Sequence, residues 1–280
     1  MDMTREIRIE EGKLKVVFEI QENGVVELKQ FDPAGRMDVK ERDRGEEDFY
    51  PITEVQITGR GTRGMHAYKH NVSGGATDFV YQSHEVLENE KGKELVIHTA
   101  AEYGVKGEYH MQFYPNVAAV QVWTTLKNEG TEEIGLEYVS SFIYQGLCQS
   151  GEKPYFEKTS IYTPHNSWDC ESQWRKNDCR EINLSGMAVN GFNTPGFGMN
   201  RYCYGGHSSW STCEYLPMGI CEDEECKVTY FFQVEHSGQW LIEYGPSTGE
   251  RLYVALSGAT ETEHGWWKNL KPGDTFTTVP

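Results

Sequence analysis

The 280-residue sequence predicts an all-β fold, a large antiparallel β-sandwich with little helix. Three observations predict it. Short apolar or alternating segments recur along the whole chain, and a two-residue alternation marks a half-buried strand. Sixteen tyrosines and seven tryptophans favour pleated surfaces over helices. Turn chemistry separates most neighbouring segments, with no helical crossover between them, as an antiparallel protein requires. A dozen strands in one open sheet would leave a face bare, so two packed sheets follow.

Taken in order, residues 13–20 mix apolar and charged side chains and stop before Asn23-Gly24, a pair suited to a tight hairpin that returns through 25–31. Residues 52–58, 79–87, 94–100, 105–114 and 118–126 are alternating or aromatic-rich, the pattern of strands with one face in a core. Glu129-Gly130-Thr131 predicts another hairpin, followed by a long segment over 134–144. Residues 159–163, 228–235, 240–244 and 251–256 complete the series. Pro272-Gly273 stands where a type II turn places proline and glycine. The stretch 167–180 alone looks helical, but its apolar positions are few, which predicts a loop with one helical turn. Residues 186–217, rich in Gly, Asn, Ser and aromatics, are predicted as surface loop. No repeat or composition shift divides the chain, so 1–280 reads as one domain.

Composition narrows the function. Hydrophobic residues make up 38% and aromatics 12%, enough for a packed core. With 26 Lys and Arg against 43 Asp and Glu, the formal charge of -17 repels phosphate backbones and anionic lipid. Neither nucleic acid nor a membrane is expected as a partner. The first residues contain no apolar signal-like run, and all seven cysteines fall at irregular spacings between Cys148 and Cys226, as reduced thiols would. A cytoplasmic location is expected unless a leader has been removed. No metal or other cofactor is expected. His66 and His70 are four apart but lie among glycines in a strand-like context, and Cys221 and Cys226 flank an acidic hairpin tip with no second Cys pair at zinc spacing.

The last residues carry the most information. His264-Gly265-Trp266-Trp267-Lys268-Asn269-Leu270-Lys271-Pro272-Gly273-Asp274 sets two tryptophans beside a turn, and the six residues that follow are too few to give them an apolar partner. Upstream stand Ser208-Ser209-Trp210-Ser211-Thr212-Cys213-Glu214-Tyr215-Leu216-Pro217-Met218-Gly219 and Gln239-Trp240-Leu241-Ile242-Glu243-Tyr244, then 249–258. In order and spacing these segments resemble the N-terminal domain of glycoside hydrolase family 36, the α-galactosidases. Weaker echoes at 49–56, 66–70 and 166–174 extend the likeness over nearly the whole chain.

The resemblance implies a galactose-mutarotase-like β-supersandwich that packs on a C-terminal (β/α)8 barrel, expected after residue 280. It also implies a homo-oligomer and an α-galactoside substrate. The family's retaining chemistry belongs to two barrel aspartates, so no catalytic residue is expected here. Lys176-Asn177-Asp178 matches the family's Lys-x-Asp nucleophile motif only by accident, because the polar residues before it cannot form a buried barrel strand. Sugar rings stack on aromatics and bond through their hydroxyls, which nominates Trp168, Trp174 and Trp210. For each of them the plainer reading, that it pins a long loop to the sandwich or faces the missing barrel, outweighs direct sugar contact. Asp48 and Tyr50, beyond the charged run 40–47, are candidates by resemblance, and Trp266 and Trp267 are candidates for the barrel interface.

Two other readings stand beside this one. Mutarotases of related fold use a strand histidine and a glutamate, and His84, His98, His110 and His236 have Glu85, Glu94, Glu108 and Glu235 as neighbours. The third reading is a free-standing carbohydrate-binding module.

Overall fold

The computed structural model describes residues 5–33, 50–63, 68–185, 200–247 and 251–280. Its strands are β1 (Arg5–Glu11), β2 (Leu14–Ile20), β3 (Val26–Pro33), β4 (Val55–Ile57), β5 (Val80–Asn89), β6 (Gly92–Ala100), β7 (Val105–Phe113), β8 (Val120–Asn128), β9 (Ile134–Val139) and β10 (Phe142–Leu147). They continue as β11 (Thr159–Ser167), β12 (Cys170–Asp178), β13 (Tyr202–Gly206), β14 (Met218–Asp223), β15 (Val228–Gln233), β16 (Trp240–Ser247), β17 (Arg251–Gly258), β18 (Lys268–Leu270) and β19 (Thr275–Thr277). One four-residue helix, α1 (Glu261–His264), interrupts them.

The strands pair antiparallel in five sheets, ordered β1-β2-β3, β10-β17-β16-β13, β12-β11-β14-β15, β18-β9-β4 and β19-β8-β7-β6-β5. The expected all-β architecture is therefore found. Inward residues of four of these sheets meet in one core: Phe18 of β2 packs edge-on against Tyr109 of β7 at 5.9 Å, and Phe31 of β3 meets Phe142 of β10 at 5.7 Å. A smaller core joins Val55, Leu126, Leu136 and Leu270 under β18-β9-β4. No helix among the described residues is long and apolar enough to cross a membrane.

Several turns form as their residues dictate. Gly24 adopts φ +86° and the Asn23 side chain accepts from the Val25 amide at 3.0 Å, closing the β2–β3 hairpin. Gly273 at φ +88° and the Asp274 amide bonded to Lys271 O at 2.9 Å make the turn expected of Lys271-Pro272-Gly273-Asp274. That turn carries the chain from one sheet to another, since β18 pairs with β9 and β19 with β8. Asn128, fully buried, fastens the crossing. Its amide group donates to Leu270 O and Glu132 O, each at 2.8 Å, and its backbone bonds Gly273 N and Asp274 O.

Other expectations are corrected. Glu129-Gly130-Thr131 is a crossover between β8 and β9, which lie in different sheets. The segment 134–144 splits at Ser140-Ser141, whose amides bond Glu54 O at 2.9 Å and Leu256 O at 2.8 Å and so hand the chain from one sheet to the next. The stretch 167–180 forms the hairpin return β12 rather than a loop with a helical turn. Almost every β12 side chain is exposed, so no hydrophobic period marked it, and pairing with β11 specifies it instead. Within 186–217, residues Tyr202–Gly206 are a strand because Tyr204 is buried in the core against Trp240, 6.0 Å away. Residues 186–199 lie outside the described residues.

Candidate functional site

The predicted tryptophans map to the tip (Trp168) and middle (Trp174) of the β11–β12 hairpin and to the loop before β14 (Trp210). Trp168, at the hairpin tip beside Asp169 with φ +59°, is 80% exposed. Trp174 lies opposite Pro164 and is 37% exposed. Asn166 ties the hairpin to the loop: its amide bonds Glu214 O at 2.8 Å and its side chain donates to Thr212 O at 2.5 Å. His165 bridges to Tyr215, with ring centroids 4.9 Å apart. Trp210, two residues before Thr212, is 64% exposed, while the Trp240 indole fixes the neighbouring Ser211 carbonyl at 2.6 Å. The structure thus fastens the segments bearing Trp168 and Trp210 side by side, leaving both indoles open to solvent.

A buried charge centre lies on β16. Trp240, Ile242 and Tyr244 point into the main core, so alternation sends Glu243 to the opposite face of its sheet. There Glu243 is wholly buried and accepts from the His70 amide (2.8 Å), His70 Nδ1 (2.8 Å), Arg201 (2.9 Å) and Tyr253 OH (2.5 Å). Burial alone would push its carboxyl up, but these donors outweigh burial and hold it at about 2. Arg201 also pairs with Glu263 of α1 at 2.6 Å, and His264 stacks on His207 at 5.0 Å. The centre therefore links the segment around His70, the approach to β13, and α1. Lys69 beside it donates to Pro246 O at 2.7 Å, and burial pulls its ammonium down to about 8. A carboxylate so saturated with donors anchors structure and has no proton to give near neutral pH.

Sequence reasoning passed over Glu243. The available signal was a lone carboxylate inside the apolar run Trp240-Leu241-Ile242-Glu243-Tyr244. His70 uses Nδ1 on this carboxylate, and His66 lies outside the described residues. Among the described residues, no three His, Cys, Asp or Glu side chains are placed to hold a metal ion.

The remaining candidates separate. Asp48 lies outside the described residues. Tyr50 is buried in the fold, with the Arg251 guanidinium 4.8 Å from its ring centroid and Arg251 itself bonded to Glu27 at 2.9 Å. Trp266 finds an apolar partner within the chain: it packs on the smaller core and meets Phe276 at 5.4 Å. The six residues after the turn do supply that contact, correcting the expectation. Trp267, the next residue, is 65% exposed.

The strand histidines lie on the open face of β5-β8. His98 approaches Glu85 at 3.3 Å and Glu108 at 3.6 Å; His110 approaches Glu94 at 2.9 Å and stacks on Trp123 at 4.9 Å. His236 falls beyond the end of β15.

Together these features define a class of protein: an all-β sandwich of antiparallel sheets with exposed tryptophans on a hairpin and the loop beside it. No family model matches the sequence, and no curated protein matches it. Solved structures match the fold. AgaB, a GH36 α-galactosidase from Geobacillus stearothermophilus, aligns with a TM-score of 0.73 at 14% identity over 100% of this chain and 39% of that one. A variant of AgaA from the same organism, solved in complex with raffinose, aligns at 0.72 and 13% identity over 98% and 40%. A galactose mutarotase-like protein from Lactobacillus casei ATCC 334 aligns at 0.52 and 12% identity over 98% of each chain. The likeness carried by the sequence motifs is thus found again in the fold, and the chain spans about 40% of the length of the α-galactosidases it matches.

Proposed function

We propose that this chain is the non-catalytic N-terminal β-domain of a retaining α-galactosidase. In that reading it packs on a C-terminal (β/α)8 barrel, supports a homo-oligomer, and offers Trp168, Trp174 and Trp210 toward α-galactoside substrate while Trp267 faces the barrel. The observation that carries the reading is the end-to-end alignment of this chain onto two fifths of such enzymes. Unpaired cysteines at all seven positions favour a cytoplasmic setting.

The test compares the purified chain with its extended reading frame on an aryl α-galactoside. The extended protein cleaves the substrate and the chain alone leaves it intact. Turnover by the chain alone overturns the accessory role.

The mutarotase reading is weaker on geometry. A ring-opening acid and base must stand a sugar's width apart, whereas His98 and His110 contact their glutamates directly.

A further inference from the structure

β15 is the last strand of its sheet and pairs only with β14, so one of its edges is open. The residue after it shows which backbone groups face that edge. The Val234 amide donates to Pro217 O at 2.8 Å, carrying the β14–β15 register one residue further. Val234 and, by two-residue alternation, Phe232 and Tyr230 therefore turn their backbone groups toward β14. Thr229, Phe231 and Gln233 turn theirs outward, where among the described residues no strand receives them. Glu235 faces the same way, and its amide is already taken: it donates to Pro280 O at 2.9 Å.

The open edge borders a cleft of about 520 Å³, lined by all of residues 228–235, by Pro280, and on the far side by Leu14, Val120 and Val122. Native sheets seldom leave such an edge uncovered. β19 delivers the chain along β8 to the C-terminal end of β15, held there by the Thr278 amide on Thr124 O at 2.9 Å and the Ser141 hydroxyl on Val279 O at 2.5 Å. An extended continuation along the edge runs from Glu235 back toward Val228, antiparallel to β15. Proline suits the first residue of such a strand, because it has no amide to place. A second copy of the chain fits less well, since Pro280 already occupies one end of the edge.

We propose, resting on the accessory-domain reading in which the chain continues into a barrel, that the residues after Pro280 add a strand to the outer edge of β15 and fill this cleft. With Pro280 opposite Glu235, the second and fourth residues beyond Pro280 stand opposite Gln233 and Phe231. They exchange backbone bonds with them, so neither is proline. The first, third and fifth stand opposite Val234, Phe232 and Tyr230, whose side chains are buried, and are apolar.

Amide-resolved hydrogen–deuterium exchange on the extended protein, beside the 280-residue chain, tests it. In the shorter chain Phe231 and Gln233 are expected to exchange fast and Tyr230, Phe232 and Val234 slowly; in the extended protein Phe231 and Gln233 slow about a hundredfold. Equal exchange of Phe231 and Gln233 in the two proteins overturns the inference, as does a proline at the second or fourth residue beyond Pro280. Protection in the shorter chain that grows with its concentration assigns the edge to a second copy and overturns it too. Cleavage of the aryl α-galactoside is scored on the same extended protein. Cleavage with open amides sinks this inference alone, protected amides without cleavage sink the enzyme reading alone, and a reading frame that stops at Pro280 overturns both.

Discussion

Glu243 Oε2 and His70 Nδ1 lie 2.8 Å apart with neither side chain exposed, joining a segment before β5 to the middle of β16. Removing one partner of such a pair leaves a buried group unmatched. Glu243→Gln is expected to lower the unfolding free energy by about 3 kcal/mol, measured by urea titration. A loss under about 1 kcal/mol would show that the centre is dispensable.

The same residue sets an acid limit. The Glu243 carboxyl is held at about 2, below its ordinary 4.5, so its contribution is complete above about 4.5 and disappears as pH falls toward 2. Burial raises the Asp32 and Glu54 carboxyls, and their pH dependence has the opposite sign. The wild-type minus Glu243→Gln difference isolates the effect: it should shrink from pH 5 to pH 2. A difference constant over that window would refute the assignment.

Neighbouring tryptophans should behave differently. Trp266→Ala loses the Phe276 contact and is expected to cost about 2 kcal/mol, whereas Trp267→Ala changes stability by less than about 0.5 kcal/mol. Thermal melts of the two variants decide it; equal losses would contradict the packing described.

Two glycines give a second contrast. Gly104 at φ +87° would place a Cβ 2.5 Å from Gly130 Cα, while Gly273 at φ +88° faces open space. Gly273→Ala should cost about 1 kcal/mol from backbone strain, and Gly104→Ala clearly more, because the opposing backbone cannot yield. Matching denaturation midpoints would count against the close approach.

Thiol accessibility provides a fifth check. Cys170 and Cys213 are exposed, whereas Cys148, Cys179 and Cys221 are buried, and the hydrogen bond with Cys148 together with burial raises the Cys221 thiol. Ellman's reagent should label Cys170 and Cys213 rapidly in the native chain and the three buried thiols only after denaturation. Rapid native labelling of Cys221 would contradict its burial.

Much of the sandwich was legible wherever one face of a strand is buried and the other is not. Residues 105–114 alternate about Tyr109, Met111 and Phe113, and β7 follows them. Strands specified by pairing rather than burial left no such trace. Glu171 to Lys176 in β12 is polar except for the part-exposed Trp174, and β18 and β19 are three residues each. The exposed indoles of Trp168 and Trp210 follow from loop chemistry, but Glu243 required knowing which side of β16 carries a second buried layer. The buried Asp32–Tyr230 hydrogen bond joins residues nearly two hundred positions apart, a juxtaposition that only the assembled sheets reveal.

The seam at Asn128 bears on how the chain is made. β19 reaches back 152 residues to lie beside β8, with Thr277 bonded to Thr125 at 3.0 Å. As the polypeptide leaves the ribosome, the outer edge of β8 and one edge of β9 stay bare until β18 and β19 emerge. Closure of the sandwich therefore waits on residues 268–277, and the interval before they emerge is when unpaired strand edges are open to wrong partners.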